Sequence, residues 1–286
     1  MSGLFFGSLF AADYSCKYPG EQHLARMTGR ALVIVPTYNE AENIEIVIQR
    51  VMALPAAFCM LVIDDGSPDG TAQIVASRQS IHPKRLFLLQ RDGKKGLGRA
   101  YLDGFDYALA RDFSYVLEMD ADLSHNPDDL SALVAPVDNG EADLTVGSRY
   151  IGGVRIINWP LSRLVLSYGA GIYTRMITRL PIQDVTAGFK CYHRRVLEAI
   201  NLKDVRSNGY SFQIEMKYRA WRKGFRLQEV PIIFTERTEG QSKMSQRIVV
   251  EAMYKVWELR LRDLFRRLDR PVALPKKLES LPDPNS

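Results

Sequence analysis

Two aspartates separated by a single residue, Asp120 and Asp122, are the strongest chemical signal in the sequence. They follow an apolar segment, residues 113–119, that predicts a buried strand. Carboxylate oxygens are preferred ligands of hard divalent cations, and a cation held by two of them keeps positions open for a substrate diphosphate. The pattern therefore predicts a divalent metal site, to which Ser124 or Asn126 could add an oxygen.

Basic side chains occur where an anionic substrate would need them, at Arg149, Arg163, Arg237 and Lys243. A planar guanidinium binds phosphate oxygens in a bidentate manner, whereas a lysine acts as a mobile point charge. Each of these residues alone is typical of a protein surface. Together with the aspartate pair, they indicate a site for two phosphate-bearing ligands.

Several other chemistries are excluded by spacing. Residues 93–98 match neither a dinucleotide-binding fingerprint nor a P-loop, although Lys94 and Lys95 lie either in solvent or near a bound phosphate. Three cysteines and four histidines lack the spacing of a zinc site. The acidic clusters lack the glycine and glutamate of an EF-hand loop.

The elements that must position these residues alternate between strands and helices. Short, mostly apolar runs predict strands at residues 31–35, 58–63, 85–90 and 113–119, and a later segment at 227–235 is also strand-like. Helical patterns separate the first four strands, and Asn39 is predicted to cap the first helix. This order is typical of an α/β fold with a mostly parallel sheet. Residues 36–40, 64–66 and 120–122 would then meet in one crevice at the carboxyl ends of the strands.

Length and charge suggest one domain with a basic extension. The chain has 286 residues and a net charge of +5. Eight basic and three acidic residues between Lys255 and Lys277 account for this excess. We expect a poorly ordered leader at residues 1–29, a catalytic domain at 30–247, an amphipathic basic helix at 248–270 and a disordered tail at 271–286. Sparse cysteines and no spanning segment or signal peptide favour a cytoplasmic protein.

Seven motifs carry a resemblance to a known family. They are residues 36–40, 64–71, 120–125, 147–150, 184–189, 212–216 and 241–243. Their order resembles that of the dolichol- or polyprenol-phosphate mannosyltransferases, which are family 2 glycosyltransferases. The resemblance covers about residues 31–243 and implies a GT-A, Rossmann-like fold with helices on both faces of the sheet. Residues 237–243, followed by the basic helix, resemble the actinobacterial polyprenyl-monophosphomannose synthases in particular.

The resemblance also implies roles for individual residues. Asp120 and Asp122 would hold Mg²⁺ or Mn²⁺ on the donor diphosphate, and Ser124 takes the position of a third ligand in some relatives. Asp122, Arg149 and Arg163 would be the catalytic residues. The guanosine pocket would comprise Pro36, Tyr38, Glu40, Ile63, Asp65 and Ala121. Arg237 and Lys243 would contact the donor, and Arg149, Arg163 and Ser167 the acceptor phosphate.

The implied reaction transfers mannose from GDP-mannose to a polyprenyl monophosphate with inversion, giving polyprenyl β-mannosyl phosphate and GDP. The phosphate nucleophile has a second pKa of about 6, so it needs no strong general base. One alternative is transfer of glucose from UDP-glucose to the same lipid. The other is a non-catalytic nucleotide- or RNA-binding module, which is disfavoured because no RNA motif occurs and the tail has few interleaved aromatic residues.

The predicted helix at 248–270 suggests how the protein would reach its lipid. Apolar residues at helical spacing alternate there with arginine and lysine, a pattern suited to lying in a membrane interface. Alternatively, the helix packs on its own domain and exposes a solvated basic face. The first reading places the protein on the cytoplasmic face of the inner membrane, with or without a separate membrane-anchoring protein and without nucleic acid.

Overall fold

The structure is a computed structural model that describes residues 27–235 and 246–266. Most of the predicted leader, the predicted tail, Arg237 and Lys243 lie outside the described residues. The C-terminal helix begins two residues before its predicted start and is described as far as Arg266. No helix within these ranges has a stretch long and apolar enough to cross a bilayer.

A seven-stranded sheet forms the centre of the fold, in the spatial order β3-β2-β1-β4-β7-β5-β8. Its strands are β1 (Ala31–Thr37), β2 (Phe58–Asp64), β3 (Leu86–Gln90), β4 (Tyr115–Glu118), β5 (Leu144–Ser148), β7 (Lys190–His193) and β8 (Leu227–Pro231). β7 is antiparallel to both of its neighbours, and the other pairings are parallel. A separate parallel pair joins β6 (Ile156–Ile157) to β9 (Phe234–Thr235).

Helices cover both faces of the sheet, as predicted. They are α1 (Ala41–Ala53), α2 (Thr71–Gln79), α3 (Leu97–Leu109), α4 (Leu130–Asp138), α5 (Leu161–Thr178), α6 (Arg194–Ala199), α7 (Gly209–Arg222) and α8 (Gln246–Arg266). Alternate residues of β1 point to opposite faces, so Val33 packs in one core with α1 and α4, and Ile34 in another with α3 and α7. Gly104 brings α3 close to the sheet, since a Cβ there would lie 2.7 Å from Ile34.

The start of α1 differs from the prediction. Its N-cap is Glu40, and Asn39 instead adopts the left-handed conformation with φ 59°. The Asp69 carboxylate accepts a hydrogen bond from the Ala41 amide at 3.0 Å, so a residue from the next βα loop caps the helix. The prediction that Asn39 caps α1 was therefore wrong, because a carboxylate distant in sequence supplies the acceptor.

Candidate active site

A cavity of about 460 Å³ opens at the carboxyl ends of β1, β2 and β4. These strands are adjacent in the sheet, so the polar segments that follow them reach the same edge. The structure thus brings together most of the residues singled out in the sequence. Those lining the cavity are Pro36, Tyr38, Glu40, Asp65, Asp120, Ala121, Asp122, Arg149 and Arg163.

The turn after β4 presents the two aspartates. The Asp122 Oδ1 accepts hydrogen bonds from the amide and the hydroxyl of Ser124, at 3.0 and 2.6 Å. Ser124 is buried, and its hydroxyl orients Asp122. The Asp120 amide donates to His125 Nδ1 at 3.3 Å, and the His125 ring stacks on Phe189 at 4.8 Å. Side-chain packing therefore fixes the conformation of this turn.

The donor set of this turn fits a hard divalent cation. Asp120 keeps 34% of its side chain exposed, and a Cβ on neighbouring Gly188 would lie only 3.9 Å from its Oδ2. The glycine thus leaves space beside the carboxylate. Burial and the charges of Asp120 and Glu118 raise the pKa of Tyr101 well above its ordinary value, so its hydroxyl stays protonated, 3.4 Å from Asp120 Oδ1. Among the described residues, no three His, Cys, Asp or Glu side chains form a metal cluster, so substrate or water oxygens would complete the coordination.

Arg149, which also lines the cavity, is held by a buried aspartate, Asp184. Arg149 Nε and Nη2 donate to the two Asp184 oxygens, each at 2.7 Å, and the Arg149 amide donates to Asp184 Oδ2 at 3.0 Å. Nη2 also donates to Thr186 Oγ1 at 2.8 Å. Glu229 accepts hydrogen bonds from the amides of Gln183 and Asp184, both at 2.8 Å, which anchors the aspartate to β8.

Both residues of this pair, Asp184 and Arg149, are charged. Burial raises the pKa of Asp184, but the charge and hydrogen bonds of Arg149, together with the charge of Lys217, outweigh burial and lower this pKa below its ordinary value. Burial opposes the charge of Arg149 too, but Asp184 raises its pKa above the ordinary value. Arg149 therefore remains a fixed cation that lines the cavity.

Arg163 and Ser167 both lie on α5 but differ in accessibility. Arg163 lines the cavity, with its guanidinium carbon 4.2 Å from the centroid of the Trp159 ring. Ser167 is buried, and its hydroxyl accepts a hydrogen bond from Tyr150 at 2.9 Å. Ser167 therefore supports the residue next to Arg149 and is not among those lining the cavity.

Most of the residues predicted to surround the nucleotide line the cavity, but Ile63 does not. Tyr38 is exposed at the cavity, with Lys94 Nζ 4.4 Å from its ring centroid, so Lys94 lies at the site. Asp65 lines the cavity and accepts a hydrogen bond from Arg91 Nε at 2.6 Å. Ile63 does not reach the cavity. Its side chain is fully buried in the core against α3, since alternate residues of β2 point away from the site.

Other cavity residues carry no assigned role in the sequence analysis. Gln213 lines the cavity and accepts a hydrogen bond from the buried Lys190, which forms an ion pair with Glu118 at 3.0 Å. Tyr192 donates to the same Glu118 oxygen at 2.9 Å. Burial lowers the pKa of Lys190, although Glu118 opposes this effect. Gln213 and Asp184 lie within motifs singled out in the sequence. Neither motif indicates that Gln213 pairs with Lys190 or that Asp184 pairs with Arg149.

The lining of the cavity combines carboxylate and guanidinium groups. Carboxylates are the type of ligand that holds a metal ion on a diphosphate, and guanidinium groups such as those of Arg149 and Arg163 are suited to a second phosphate. No described side chain needs to act as a strong base if the second phosphate is itself the nucleophile.

Comparison with known proteins gives strong similarity in sequence. Residues 32–200 match the family described as Glycosyl transferase family 2. The polyprenol monophosphomannose synthase of Mycolicibacterium smegmatis is 49% identical over 245 residues, which are 86% of this chain and 91% of the relative. The undecaprenyl-phosphate mannosyltransferase of Micrococcus luteus is 42% identical over 235 residues, which are 82% of this chain and 96% of the relative.

Solved structures are similar in fold. Glucosyl-3-phosphoglycerate synthase from Mycobacterium tuberculosis, in complex with Mn²⁺, UDP-glucose and phosphoglyceric acid, superposes with a TM-score of 0.62 at 17% identity, covering 89% of this chain and 85% of that one. Mannosyl-3-phosphoglycerate synthase from Rubrobacter xylanophilus gives 0.60 at 16% identity, covering 88% and 79%. The predicted GT-A fold is confirmed.

Proposed function

Because this chain belongs to glycosyl transferase family 2, we propose that it transfers mannose from GDP-mannose to the phosphate of a polyprenyl monophosphate. The names of the two relatives both specify a mannosyl transfer to a polyprenyl phosphate, and this chain covers more than nine-tenths of each. The predicted class of enzyme, a glycosyltransferase, is thereby confirmed. GDP as the nucleotide is our proposal.

One observation carries the proposal: Asp120, Asp122, Arg149 and Arg163 all line the same cavity. Asp120 and Asp122 would hold Mg²⁺ or Mn²⁺, which would neutralise charge on the departing diphosphate. The two arginines would bind the acceptor phosphate and offset its repulsion from the donor diphosphate.

With these groups in place, the reaction requires that the two substrates be aligned. An acceptor phosphate oxygen attacks the anomeric carbon of mannose, and the bond from that carbon to the GDP oxygen breaks with its electron pair on GDP. Attack from the opposite side inverts the configuration and gives the β-linked mannosyl phosphate. A phosphate with a second pKa of about 6 is largely a dianion at neutral pH, so no protein base is required.

The test is to incubate the purified full-length protein with labelled GDP-mannose, Mg²⁺ and a short polyprenyl phosphate, and to measure label in the organic phase. We expect transfer from GDP-mannose. Transfer only from UDP-glucose would replace the donor assignment, and nucleotide or RNA binding without any transfer would favour the non-catalytic alternative.

The acceptor role of Arg163 makes the first prediction. Arg163→Ala is expected to raise the KM for the polyprenyl phosphate about 10- to 100-fold, as a lost hydrogen bond to a charged group would. The KM for GDP-mannose should change little. Arg175→Ala, on the same helix but not lining the cavity, is the matched control. Equal acceptor KM values in the two variants would contradict the role.

Two helices expose apolar rows that suit a lipid surface. On α5 the exposed residues Leu161, Val165, Ile172 and Met176 follow helical spacing, and on α8 Trp257, Leu261 and Leu264 do the same. The helices are in contact, and Trp257 Nε1 donates to the Tyr173 hydroxyl at 2.9 Å. Val256, Leu259 and Asp263 on the other side of α8 are buried, so this helix both packs on its domain and exposes an apolar row.

We therefore propose that α5 and α8 bind the membrane peripherally, on its cytoplasmic face. Met176→Glu and Leu264→Glu are each expected to weaken binding to anionic vesicles about 10-fold, because each removes a large apolar side chain from the interface. Ile81→Glu replaces a similarly exposed residue after α2 and serves as the control. Vesicle sedimentation measures the binding, and an equal effect of all three changes would contradict this surface.

A further inference from the structure

Trp159 lies beside both arginines of the cavity. The guanidinium carbon of Arg163 is 4.2 Å from the centroid of the Trp159 ring, and that of Arg149 is 5.4 Å from it. Aromatic rings attract cations electrostatically within about 6 Å, and tryptophan does so best. One ring therefore contacts the two cations that the proposed acceptor phosphate would require.

The position of Trp159 is set by the small second sheet. Trp159 follows β6 after Asn158, which adopts the left-handed conformation with φ 67°. β6 pairs with β9, which places the Phe234 ring edge-on to Trp159 at 5.6 Å. Phe234 is also edge-on to His125 at 5.6 Å, so aromatic contacts connect Trp159 to the metal-binding turn.

The two arginines differ in burial. Arg149 is buried and fixed by both oxygens of Asp184. Arg163 lies in the first turn of α5, less deeply buried, and its guanidinium packs against Trp159. Two cations converging on one cavity repel each other, and a ring that contacts both offsets this repulsion.

We propose that Trp159 is a positioning residue that holds Arg163 beside Arg149 and so sets the affinity for the phosphate monoester of the acceptor. This inference rests on the proposed function, because it assigns the two arginines to one phosphate dianion. Trp159 acts through the arginines and takes no part in the chemical step.

The experiment compares Trp159→Leu, Trp159→Phe and the control Trp221→Leu. Trp221 packs against Tyr218, and the guanidinium carbon of Arg222 lies 5.8 Å from the centroid of the Trp221 ring. Trp221 does not line the cavity. Farnesyl phosphate is the probe, with farnesol as its phosphate-free counterpart. Calorimetry gives the Kd of each probe, and transfer from GDP-mannose gives the KM values and kcat.

For Trp159→Leu we expect the Kd and KM of farnesyl phosphate to rise about 10-fold, as for the loss of two partly desolvated cation–π contacts. The KM for GDP-mannose, the kcat and the weak binding of farnesol should stay unchanged. Trp159→Phe keeps an aromatic face and should recover most of the affinity, and Trp221→Leu should match the wild type. In an Arg163→Ala background, Trp159→Leu should add far less than it does alone.

Three results would overturn the inference. Trp159→Leu could leave farnesyl phosphate affinity unchanged while the wild type transfers mannose, which would preserve the proposed function. It could weaken GDP-mannose and farnesyl phosphate equally, which would indicate general damage to the cavity. If the wild type binds no farnesyl phosphate at all, the proposed acceptor class fails as well. Trp159 is not part of either buried core, so its replacement should leave the fold intact. Thermal melting of each variant verifies folding, and Trp159→Phe is the milder of the two changes.

Discussion

Asp122→Asn is expected to lower mannosyl transfer about 1,000-fold or more, because metal stabilisation of a departing diphosphate contributes several kcal/mol. Asparagine retains an oxygen that can accept the hydrogen bonds from Ser124, so the turn should keep its conformation. The loss would then come from the missing carboxylate charge at residue 122. We expect Asp122→Ala to be equally inactive.

Two measurements separate this effect from misfolding. Mn²⁺ titration followed by electron paramagnetic resonance should show weaker metal binding, while the melting temperature stays close to that of the wild type. Asp128→Asn changes a nearby acid that is exposed and outside the cavity, and should retain full activity. Turnover that persists in EDTA, or in Asp122→Ala, would refute the metal-dependent reaction.

Asp184→Ala should produce the largest loss of stability. It removes the partner of a buried arginine, and an uncompensated buried charge costs about 3–5 kcal/mol in the free energy of unfolding. Urea denaturation measures this change. Glu198→Ala breaks an exposed ion pair with Arg194 and should cost less than about 1 kcal/mol, so a similar cost for both variants would be incompatible with our account.

A double variant distinguishes stability from function at the same position. Combining Arg149→Met with Asp184→Leu removes both charges, so much of the stability should return. Mannosyl transfer should not return, because the acceptor phosphate has lost a cation. The pKa of Asp184 is lowered in the folded protein, so the pair contributes fully at neutral pH and its contribution is lost only as acid protonates the carboxylate.

The first half of the fold could be predicted from the sequence, because the local hydrophobic pattern of each strand agrees with the way the strands pair in the sheet. β1, β2 and β4 are mostly apolar, and their order places Asp65, Asp120 and Asp122 at one edge. β7 escaped prediction because it is only four residues long and carries a lysine in the centre of the sheet. Its burial depends on Glu118, a partner on another strand that local pattern does not reveal.

For the candidate site too, residue types in the sequence indicate the chemistry, whereas the contacts between side chains depend on packing. Acids after strands indicate metal chemistry, and arginines indicate phosphate. The sequence does not reveal that Ser124 bonds to Asp122, that Asp184 fixes Arg149, or that Ile63 turns into the core. Those outcomes depend on side-chain directions and on partners far away in the chain.

The reversed direction of β7 has a consequence for how such an enzyme can diversify. A strand of opposite direction delivers the segment before it to the cavity, so Thr186 and Gly188 arrive at the edge reached by the segments after β1 and β4. The lining of the cavity thus comes from separate stretches of chain that meet only in space. Under the proposed function, Thr186 holds an arginine that binds the acceptor, so substitutions at Thr186 would alter acceptor binding while the turn that carries Asp120 and Asp122 keeps its sequence.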